Sequence, residues 1–266
     1  MRYDVQMNAC NKSQAFPFCP YIGPSNLVIA VQFITMQNAP KVTLLDDTLA
    51  FPPVEEAWEG LLAIGGDLSE ARLIAAYEHG VFPWYGENDP ILWWAPEKRS
   101  VLFLENLHIA KSMRSVLNRN QFELRIDTAF DQVIQTCADV RSNKEGTWIS
   151  KDIIKAYIRL HEIGLAHSFE AWLGGKLVGG LYGVSIGRMF FGESMFSIES
   201  NASKFCFIQL VQWAESNAYG PIDCQISNSH LTSMGATIIP REEYSKILRT
   251  YLSAGKTRRG MWTIHK

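Results

Sequence analysis

The sequence carries little net charge. Its 266 residues include 25 Lys and Arg against 27 Asp and Glu, which gives a formal net charge of −2 at pH 7. A protein that binds nucleic acid over most of its surface has a strong excess of basic residues. The composition excludes that class, and any contact with RNA must come from a local basic patch.

Cysteine pairs and metal-binding spacings are missing. The five cysteines contain no C-x-x-C pair, and His161-Glu162 begins like H-E-x-x-H although the next histidine is His167. An odd number of scattered cysteines favours reduced thiols in a cytoplasmic protein. We therefore expect neither a disulfide framework nor a bound metal.

Long apolar runs are missing as well. A membrane helix needs about 18 consecutive apolar residues, and the best candidate, residues 27–36, is short and contains Gln32. Residues 1–35 are proline-rich at positions 16–20 and have a weak basic end and no clear cleavage site. We expect a disordered extension there rather than a signal peptide.

The distribution of Pro, Gly and Trp divides the remaining chain. Residues 36–98 are dense in all three and predict a small, loop-rich N-terminal domain, with one helix that Ser69 caps and Gly80 ends. Residues 99–252 alternate between strand and helix patterns, which predicts a larger α+β domain with a central mixed sheet. Residues 253–266 form a basic, polar tail that we expect to be frayed.

The larger domain shows a regular order of predicted elements. Strands are predicted at residues 101–104, 122–127, 168–173, 176–184, 189–193 and 221–226. Helices are predicted at residues 108–119, from Asp127 or Thr128 to 139, from the Ser150 cap to Gly164, from Asn201 or Ser203 to 216, and at 242–252. Gly174 and Gly175 supply the turn of a hairpin.

Three polar residues lie in apolar strand contexts. Asp223 and Gln225 are two apart on a predicted strand, so their side chains share a face while Cys224 points into the core. A carboxylate and an amide on one face can orient an amine or a ribose hydroxyl, or they can form an ordinary solvent-facing edge. Glu193 is either paired in the core or directed into a cleft. Ser194 is not predicted to be a nucleophile, because Phe196 replaces the last glycine of G-x-S-x-G.

A local basic patch precedes these residues. Residues 98–125 contain six basic and two acidic side chains, a local excess of four positive charges. Lys111 and Arg114 are three apart and share one face of a predicted helix, and Arg119 follows at its end. The pattern is typical of a solvated helix face and also suits contact with phosphates.

Five short motifs occur in a fixed order: GVFPWY at residues 80–85, ILWW at 91–94, GTWI at 146–149, FGESMF at 191–196 and IDCQ at 222–225. Together, over about residues 51–251, they make the sequence resemble the leucyl/phenylalanyl-tRNA–protein transferase family. The motifs place Trp84, Trp93, Trp94 and Trp148 beside Gly, Pro or Thr, so we expect these rings on loops. Aromatic faces on loops can stack a base or wall an apolar pocket.

The resemblance implies an acyltransferase domain of the GNAT type and a specific reaction. The reaction is transfer of leucine or phenylalanine, with methionine as a further donor, from aminoacyl-tRNA to the N-terminal amine of proteins. The implied acceptors begin with Arg or Lys and are thereby marked for N-degron-dependent degradation. The implied enzyme is a cytoplasmic monomer without a cofactor.

The resemblance also implies site residues. It places Asp223, Gln225 and Glu193 at the transfer site, and on this view Asp223→Asn folds normally but loses transfer. It places contacts to the tRNA acceptor stem at Lys111, Arg114 and Arg119, and the terminal adenosine and aminoacyl group near Trp84 and Trp148. The pocket for the donor side chain is walled by Leu181, Phe190, Met195, Phe207, Leu210 and Ile222, which from composition alone are ordinary core residues.

Two other functions stay open on the residues alone. A CoA-dependent acetyltransferase of the same fold would hold pyrophosphate on a glycine-rich turn before a helix, but residues 194–203 contain no glycine. A non-catalytic RNA-binding module would explain the basic patch and the tryptophans. It would not explain why Glu193, Asp223 and Gln225 occur together.

Overall fold

The computed structural model describes residues 42–86, 88–142 and 147–263. The predicted extension at residues 1–35 lies outside the described residues. Within these ranges the chain forms two sheets with helices packed on them. The predicted α+β class with a central mixed sheet is confirmed.

The first sheet has four short strands. They are β1 (Thr43–Leu45), β2 (Leu61–Gly65), β3 (Phe82–Pro83) and β4 (Leu92–Trp94), in the order β1-β2-β4-β3. Trp93 and Trp94 therefore lie on a strand, which corrects the prediction of a loop. The strand is stable because Trp93 is buried and its Nε1 donates to the Gly65 carbonyl at 2.9 Å.

Helix α1 (Glu70–Glu78) has the ends that the sequence predicts. The Ser69 Oγ accepts a hydrogen bond from the Arg72 backbone N–H at 3.3 Å, as an N-cap does. Gly80 follows with φ of +73°, and a Cβ there would lie 2.9 Å from the Tyr244 ring. Both the left-handed conformation and this close approach require glycine at the end of α1.

The second sheet has seven strands. They are β5 (Lys98–Leu102), β6 (Glu123–Ile126), β7 (Ala166–Leu173), β8 (Lys176–Ile186), β9 (Met189–Ser197), β10 (Ile222–Gln225) and β11 (Thr237–Pro240). The order is β11-β5-β10-β9-β8-β7-β6, in which β9 and β10 are parallel and all other neighbours are antiparallel. Strand β5 begins three residues earlier than predicted, because it pairs with β11, which the sequence analysis missed.

Helices cover both faces of this sheet. They are α2 (Lys111–Asn118), α3 (Phe130–Ser142), α4 (Lys151–Glu162), α5 (Ala202–Ser216), α6 (Ser229–Ser233) and α7 (Arg241–Ser253). One core cluster joins α3, α4 and α7 to α1 and the small sheet, and a second joins α2 and α5 to the opposite face. Tyr77 of α1 packs in the same core as Tyr157 of α4. The domain boundary between residues 98 and 99 stays a prediction.

The start of α3 is capped from another strand. The Glu170 carboxylate on β7 accepts hydrogen bonds from the backbone N–H groups of Thr128 and Ala129 at 2.9 and 2.8 Å, and from the Thr128 hydroxyl. The sequence analysis proposed Asp127 or Thr128 as the cap. It was wrong because β6 pairs with β7, which places a carboxylate beside the free N–H groups at the helix start.

The C-terminal tail, as far as residue 263, is docked rather than frayed. Trp262 is 1% exposed, and its ring stacks between Trp213 and His167 with centroid distances of 3.8 and 3.7 Å. Its backbone N–H donates to Asp127 Oδ2 at 2.8 Å. A large aromatic ring contributes enough buried area to hold a polar segment in place. The mostly polar composition of the tail did not indicate this contact.

The described cysteines, Cys137, Cys206 and Cys224, are free and buried, and burial raises the pKa of each thiol. Cys10 and Cys19 lie outside the described residues. Among the described helices none is long and apolar enough to cross a membrane.

We expect Trp262→Ala to lower the free energy of unfolding by about 3–5 kcal/mol, because it leaves a cavity between Trp213 and His167. Denaturant unfolding measures the change. Met261→Ala is the matched control, since Met261 is 67% exposed and should change stability by less than about 0.5 kcal/mol. Equal stability of the two variants would contradict the docking of the tail.

Candidate active site

Glu193 is the extra residue of a bulge in β9. Tyr182 of β8 pairs with Ser194, whereas Gly183 pairs with Gly192, so Glu193 has no partner of its own. A bulge redirects a side chain and is common beside active sites. The conformation explains how a carboxylate in the middle of an apolar strand is turned toward other polar groups.

A second bulge lies in β10. Asp223 pairs with Val101 and Gln225 with Ser100, so Cys224 is the extra residue, and Gln225 has a positive φ of 56°. Cys224 packs in the core beneath α5, while the partners of Asp223 and Gln225 lie on the opposite face. The predicted common face of Asp223 and Gln225 is confirmed, although the bulge was not predicted.

Glu193 is held by three donors. The Tyr77 hydroxyl donates to Oε1 at 2.7 Å, the Gln225 Nε2 donates to Oε1 at 2.8 Å, and the Tyr157 hydroxyl donates to Oε2 at 3.2 Å. The two tyrosine hydroxyls also lie within hydrogen-bond distance of each other. Because each hydroxyl has a single proton, the two cannot both donate to Glu193 and also to one another, so this third contact requires the proton of a neutral Glu193 carboxyl group. Burial raises the pKa of both tyrosines well above the usual value, so the hydroxyls stay protonated.

The carboxyl group of Glu193 has an unusual proton affinity. Glu193 is 9% exposed, and burial raises its pKa to about 7, with the Tyr77 and Tyr157 hydrogen bonds opposing the shift and the charge of Asp223 adding to it. A carboxyl group with this pKa can take up or release a proton near neutral pH. Of the two alternatives that the sequence left open for Glu193, the structure shows pairing in the core.

Asp223 forms a buried ion pair with Arg99. The guanidinium donates from Nε to Oδ1 at 2.9 Å and from NH2 to Oδ2 at 2.7 Å. The Tyr244 hydroxyl donates to Oδ2 at 2.7 Å and the Gln225 backbone N–H to Oδ1 at 2.8 Å. Asp223 is 0% exposed and each of its oxygens already has two donors, so it orients Gln225 rather than facing solvent.

Arg99 was misassigned in the sequence analysis, which counted it in the basic patch. It is 1% exposed, and its guanidinium lies 4.7 Å above the Phe82 ring and 4.6 Å above the Tyr244 ring. Burial alone would lower the pKa of Arg99, but the Asp223 carboxylate raises it above its ordinary value. The positive charge of Arg99 therefore pairs with Asp223 in the interior and is not part of a surface patch.

Three polar residues of the site were not predicted from the sequence. They are Tyr77, Tyr157 and Tyr244. Each occupies an otherwise apolar helix face. The signal available was chemical, because a buried tyrosine hydroxyl requires a partner. That partner is Glu193 for the first two and Asp223 for the third.

Two of the four tryptophans predicted on loops, Trp84 and Trp148, lie outside strands and helices, as predicted. Trp84 and Trp148 are half-buried and pack against the core that contains Tyr77 and Tyr157. The Trp94 Nε1 donates to the Trp84 carbonyl at 2.7 Å, and the Trp84 and Trp94 rings are 5.8 Å apart. Contact of Trp84 and Trp148 with a donor stays a prediction.

The six predicted pocket residues share the core cluster on the α5 face. Met195 is partly exposed, and the others are buried: Leu181, Phe190, Phe207, Leu210 and Ile222. Trp262 joins them, with its ring 6.0 Å from that of Phe190. The structure brings the six residues together as packed side chains, and their role in holding a donor stays a prediction.

The predicted basic residues are exposed. Lys111 and Arg114 are on α2, Arg119 follows it, and the opposite side of α2 buries Met113 and Val116. Their role toward RNA stays a prediction. Across the described ranges no group of three or more His, Cys, Asp or Glu side chains could hold a metal ion.

Comparison with known proteins decides the family. The profile described as leucyl/phenylalanyl-tRNA protein transferase matches residues 101–249, and that of the N-terminal domain of the same transferase matches residues 66–97. The chain belongs to the leucyl/phenylalanyl-tRNA protein transferase family. It is therefore an aminoacyltransferase.

Curated relatives of this family cover most of the chain. The leucyl/phenylalanyl-tRNA–protein transferase of Nitrosomonas eutropha is 51% identical over 209 residues, which are 77% of this chain and 89% of the relative. The transferase of Azotobacter vinelandii is 51% identical over 214 residues, 79% of this chain and 95% of the relative.

Solved structures show weaker likeness. L-PGS from Bacillus licheniformis matches with a TM-score of 0.36 and 12% identity over 60% of this chain and 52% of that chain. An aminoglycoside acetyltransferase from a soil metagenomic sample matches with a TM-score of 0.33 and 12% identity over 55% of this chain and 97% of that chain. Such scores carry no argument about function.

We expect Asp223→Asn to destabilise the enzyme, which revises the expectation that this variant folds normally. Removing one partner of a buried ion pair costs about 3–5 kcal/mol, because Arg99 remains charged and unpaired. The double variant Arg99→Gln, Asp223→Asn removes both charges and keeps hydrogen-bonding groups, so it should recover most of the lost stability. Denaturant unfolding compares the three proteins. Additive losses in the double variant would show that the two side chains are not coupled.

Glu193→Gln should change the pH dependence of stability. The folded pKa of about 7 lies above the ordinary value of 4.5 for a glutamate, so this carboxyl favours folding below about pH 4.5 and loses that contribution as pH rises to about 7. The amide does not titrate. Unfolding measured from pH 5 to 8 should show the variant gaining roughly 3 kcal/mol relative to the parental enzyme. A constant difference across this range would place Glu193 in water.

Proposed function

We propose that this aminoacyltransferase moves leucine or phenylalanine from aminoacyl-tRNA to the N-terminal amine of proteins that begin with Arg or Lys. Methionine is a further donor. The product is a protein marked for N-degron-dependent degradation, and the enzyme works in the cytoplasm as a monomer without a cofactor. Family membership supports the reaction class, and the Glu193 cluster supports the chemistry.

The observation that carries the proposal is the carboxyl group of Glu193, buried at a bulge with a pKa of about 7. The donor is an activated ester, so the enzyme needs mainly to bring an amine to it and to manage one proton. An N-terminal amine has a pKa of roughly 7.7–8.0. A carboxylate with a pKa near that value can accept the proton of the incoming ammonium group.

The reaction then proceeds with balanced bonds and protons. The neutral amine nitrogen attacks the ester carbonyl carbon, a C–N bond forms, and the C–O bond to the ribose breaks. The ammonium group loses two protons in all. Glu193 takes up the first and passes it to the ribose oxygen, and it then takes up the second, which leaves the nitrogen as the amide forms, and releases it to solvent. The negative carboxylate also favours an acceptor whose first residue is Arg or Lys.

Gln225 and Asp223 have different roles in this proposal. The Gln225 Nε2 is engaged by Glu193, which leaves its side-chain carbonyl to accept a hydrogen bond from the amine. Asp223 fixes the backbone of Gln225 through the N–H bond at 2.8 Å. Glu193 and Gln225 are therefore the proposed catalytic residues, and Asp223 acts through Gln225 as a positioning residue.

The donor is assigned to the remaining predicted residues. Trp84 and Trp148 flank the terminal adenosine and the aminoacyl group, since half-buried aromatic rings can stack a base. The apolar cluster that contains Phe190 and Leu210 accepts the donor side chain. Lys111, Arg114 and Arg119 present positive charge to the tRNA acceptor stem.

A transfer assay tests the proposal. Purified enzyme is incubated with radiolabelled leucyl-, phenylalanyl- or methionyl-tRNA, or with acetyl-CoA, and with peptides that begin with Arg, Lys, Ala or Glu. We expect label on the Arg and Lys peptides from the tRNA donors and none from acetyl-CoA. Glu193→Gln should lower kcat by roughly 10²-fold or more.

Glu199→Gln is the matched control, because Glu199 is an exposed carboxylate just after β9 and should retain the parental rate. Transfer of acetyl from acetyl-CoA would support an acetyltransferase instead. A parental rate for Glu193→Gln would show that Glu193 takes no part in the chemistry. The rate enhancement would then come mainly from the positioning of the substrates.

A further inference from the structure

An open cavity lies away from the Glu193 cluster. Its volume is about 250 Å³, and it is formed where the start of α2, the first turns of α5 and the end of α6 meet. One water molecule occupies roughly 30 Å³ of liquid, so the space suits a larger group. It belongs neither to the Glu193 cluster nor to the predicted donor pocket.

The floor of the cavity is apolar and firmly held. Met113, Ile208 and Met234 line it and are 2%, 0% and 3% exposed. The backbone N–H of His108 donates to the Met234 carbonyl at 2.9 Å, which joins two of the walls. A floor of sulfur and alkyl groups can pack against the face of a planar ring.

The rim of the cavity is cationic. Lys204 lines it from α5, and within the described residues it forms no ion pair with a carboxylate. None of the described lining residues is acidic, so the rim suits an anion.

The cavity continues the basic face of α2. Ala110 lines the cavity and directly precedes Lys111, the first residue of that helix. On the other side, α6 begins only four residues after Gln225. The chain therefore leads directly from the cavity to Lys111 and Arg114 on one side, and from the end of β10 to α6 on the other.

We propose that this cavity binds one unpaired nucleotide of the donor tRNA, with the base on the apolar floor and the phosphate at Lys204. The inference rests on the proposed function in one respect, that the donor is a tRNA. Proteins read RNA mainly through unstacked bases in single-stranded segments. A base over an apolar floor beside a fixed cation is the combination that such a segment requires.

Two variants test the cavity from different sides. Lys204→Ala removes the cation, and Ala110→Trp places a ring in the space from an exposed position, so neither should disturb the fold. We expect each to raise the Kd for deacylated tRNA and the KM for aminoacyl-tRNA at least about fivefold. Lys246→Ala is the matched control, because Lys246 is 64% exposed on α7.

A short donor separates this inference from the proposed function. An aminoacyl adenosine carries the ester and the terminal base but no further nucleotide, so the KM for it should not change in Lys204→Ala or Ala110→Trp. A failure of the proposed function would appear as no transfer by the parental enzyme, while the Kd for deacylated tRNA would still report on the cavity. Unchanged Kd values in both variants would overturn the inference, and so would an equal rise in KM for the short donor.

Discussion

The buried ion pair between Arg99 and Asp223 is the interaction on which the candidate site depends. Two full charges without access to water are tolerated only when every oxygen and nitrogen has a partner. Arg99 comes from β5, Asp223 from β10 and Tyr244 from α7, so satisfying the pair fixes three elements relative to one another. The same carboxylate accepts the Gln225 backbone N–H, which transmits that rigidity to the neighbouring cluster.

Two bulges convert this frame into a site. A regular β9 would leave the Glu193 side chain on the alternation of an apolar strand, and a regular β10 would not give Gln225 its positive φ. Each bulge adds one residue, and together they bring the Gln225 amide to 2.8 Å from Glu193. The cost is a carboxyl group in an apolar setting, which appears as its raised pKa of about 7.

Local signals in the sequence predicted local structure well. The caps at Ser69 and Ser150 and the turn at Gly174 and Gly175 are found as expected, because each depends on neighbouring residues alone. Other features depend on which strand pairs with which, and a single sequence does not reveal the register of that pairing. These features are the two bulges, β11 and the cap of α3 by Glu170. Arg99 and Trp262 were misread for a related reason, since a buried ion pair and a docked ring resemble surface residues until their partners are known.

The two faces of the large sheet divide the work of the enzyme. The face toward α1 and α4 holds the polar cluster of Glu193, and the face toward α5 holds the apolar cluster and the cavity beside α2. Strands β9 and β10 pair only at Phe190 and Phe191, and β9 then continues to Ser197 while β10 ends at Gln225. In the proposed reaction, an ester held from the α5 face would meet an amine held at Glu193 at this point, where the pairing of β9 and β10 ends. Such an arrangement needs few basic residues in total, which reconciles a net charge of −2 with an RNA substrate.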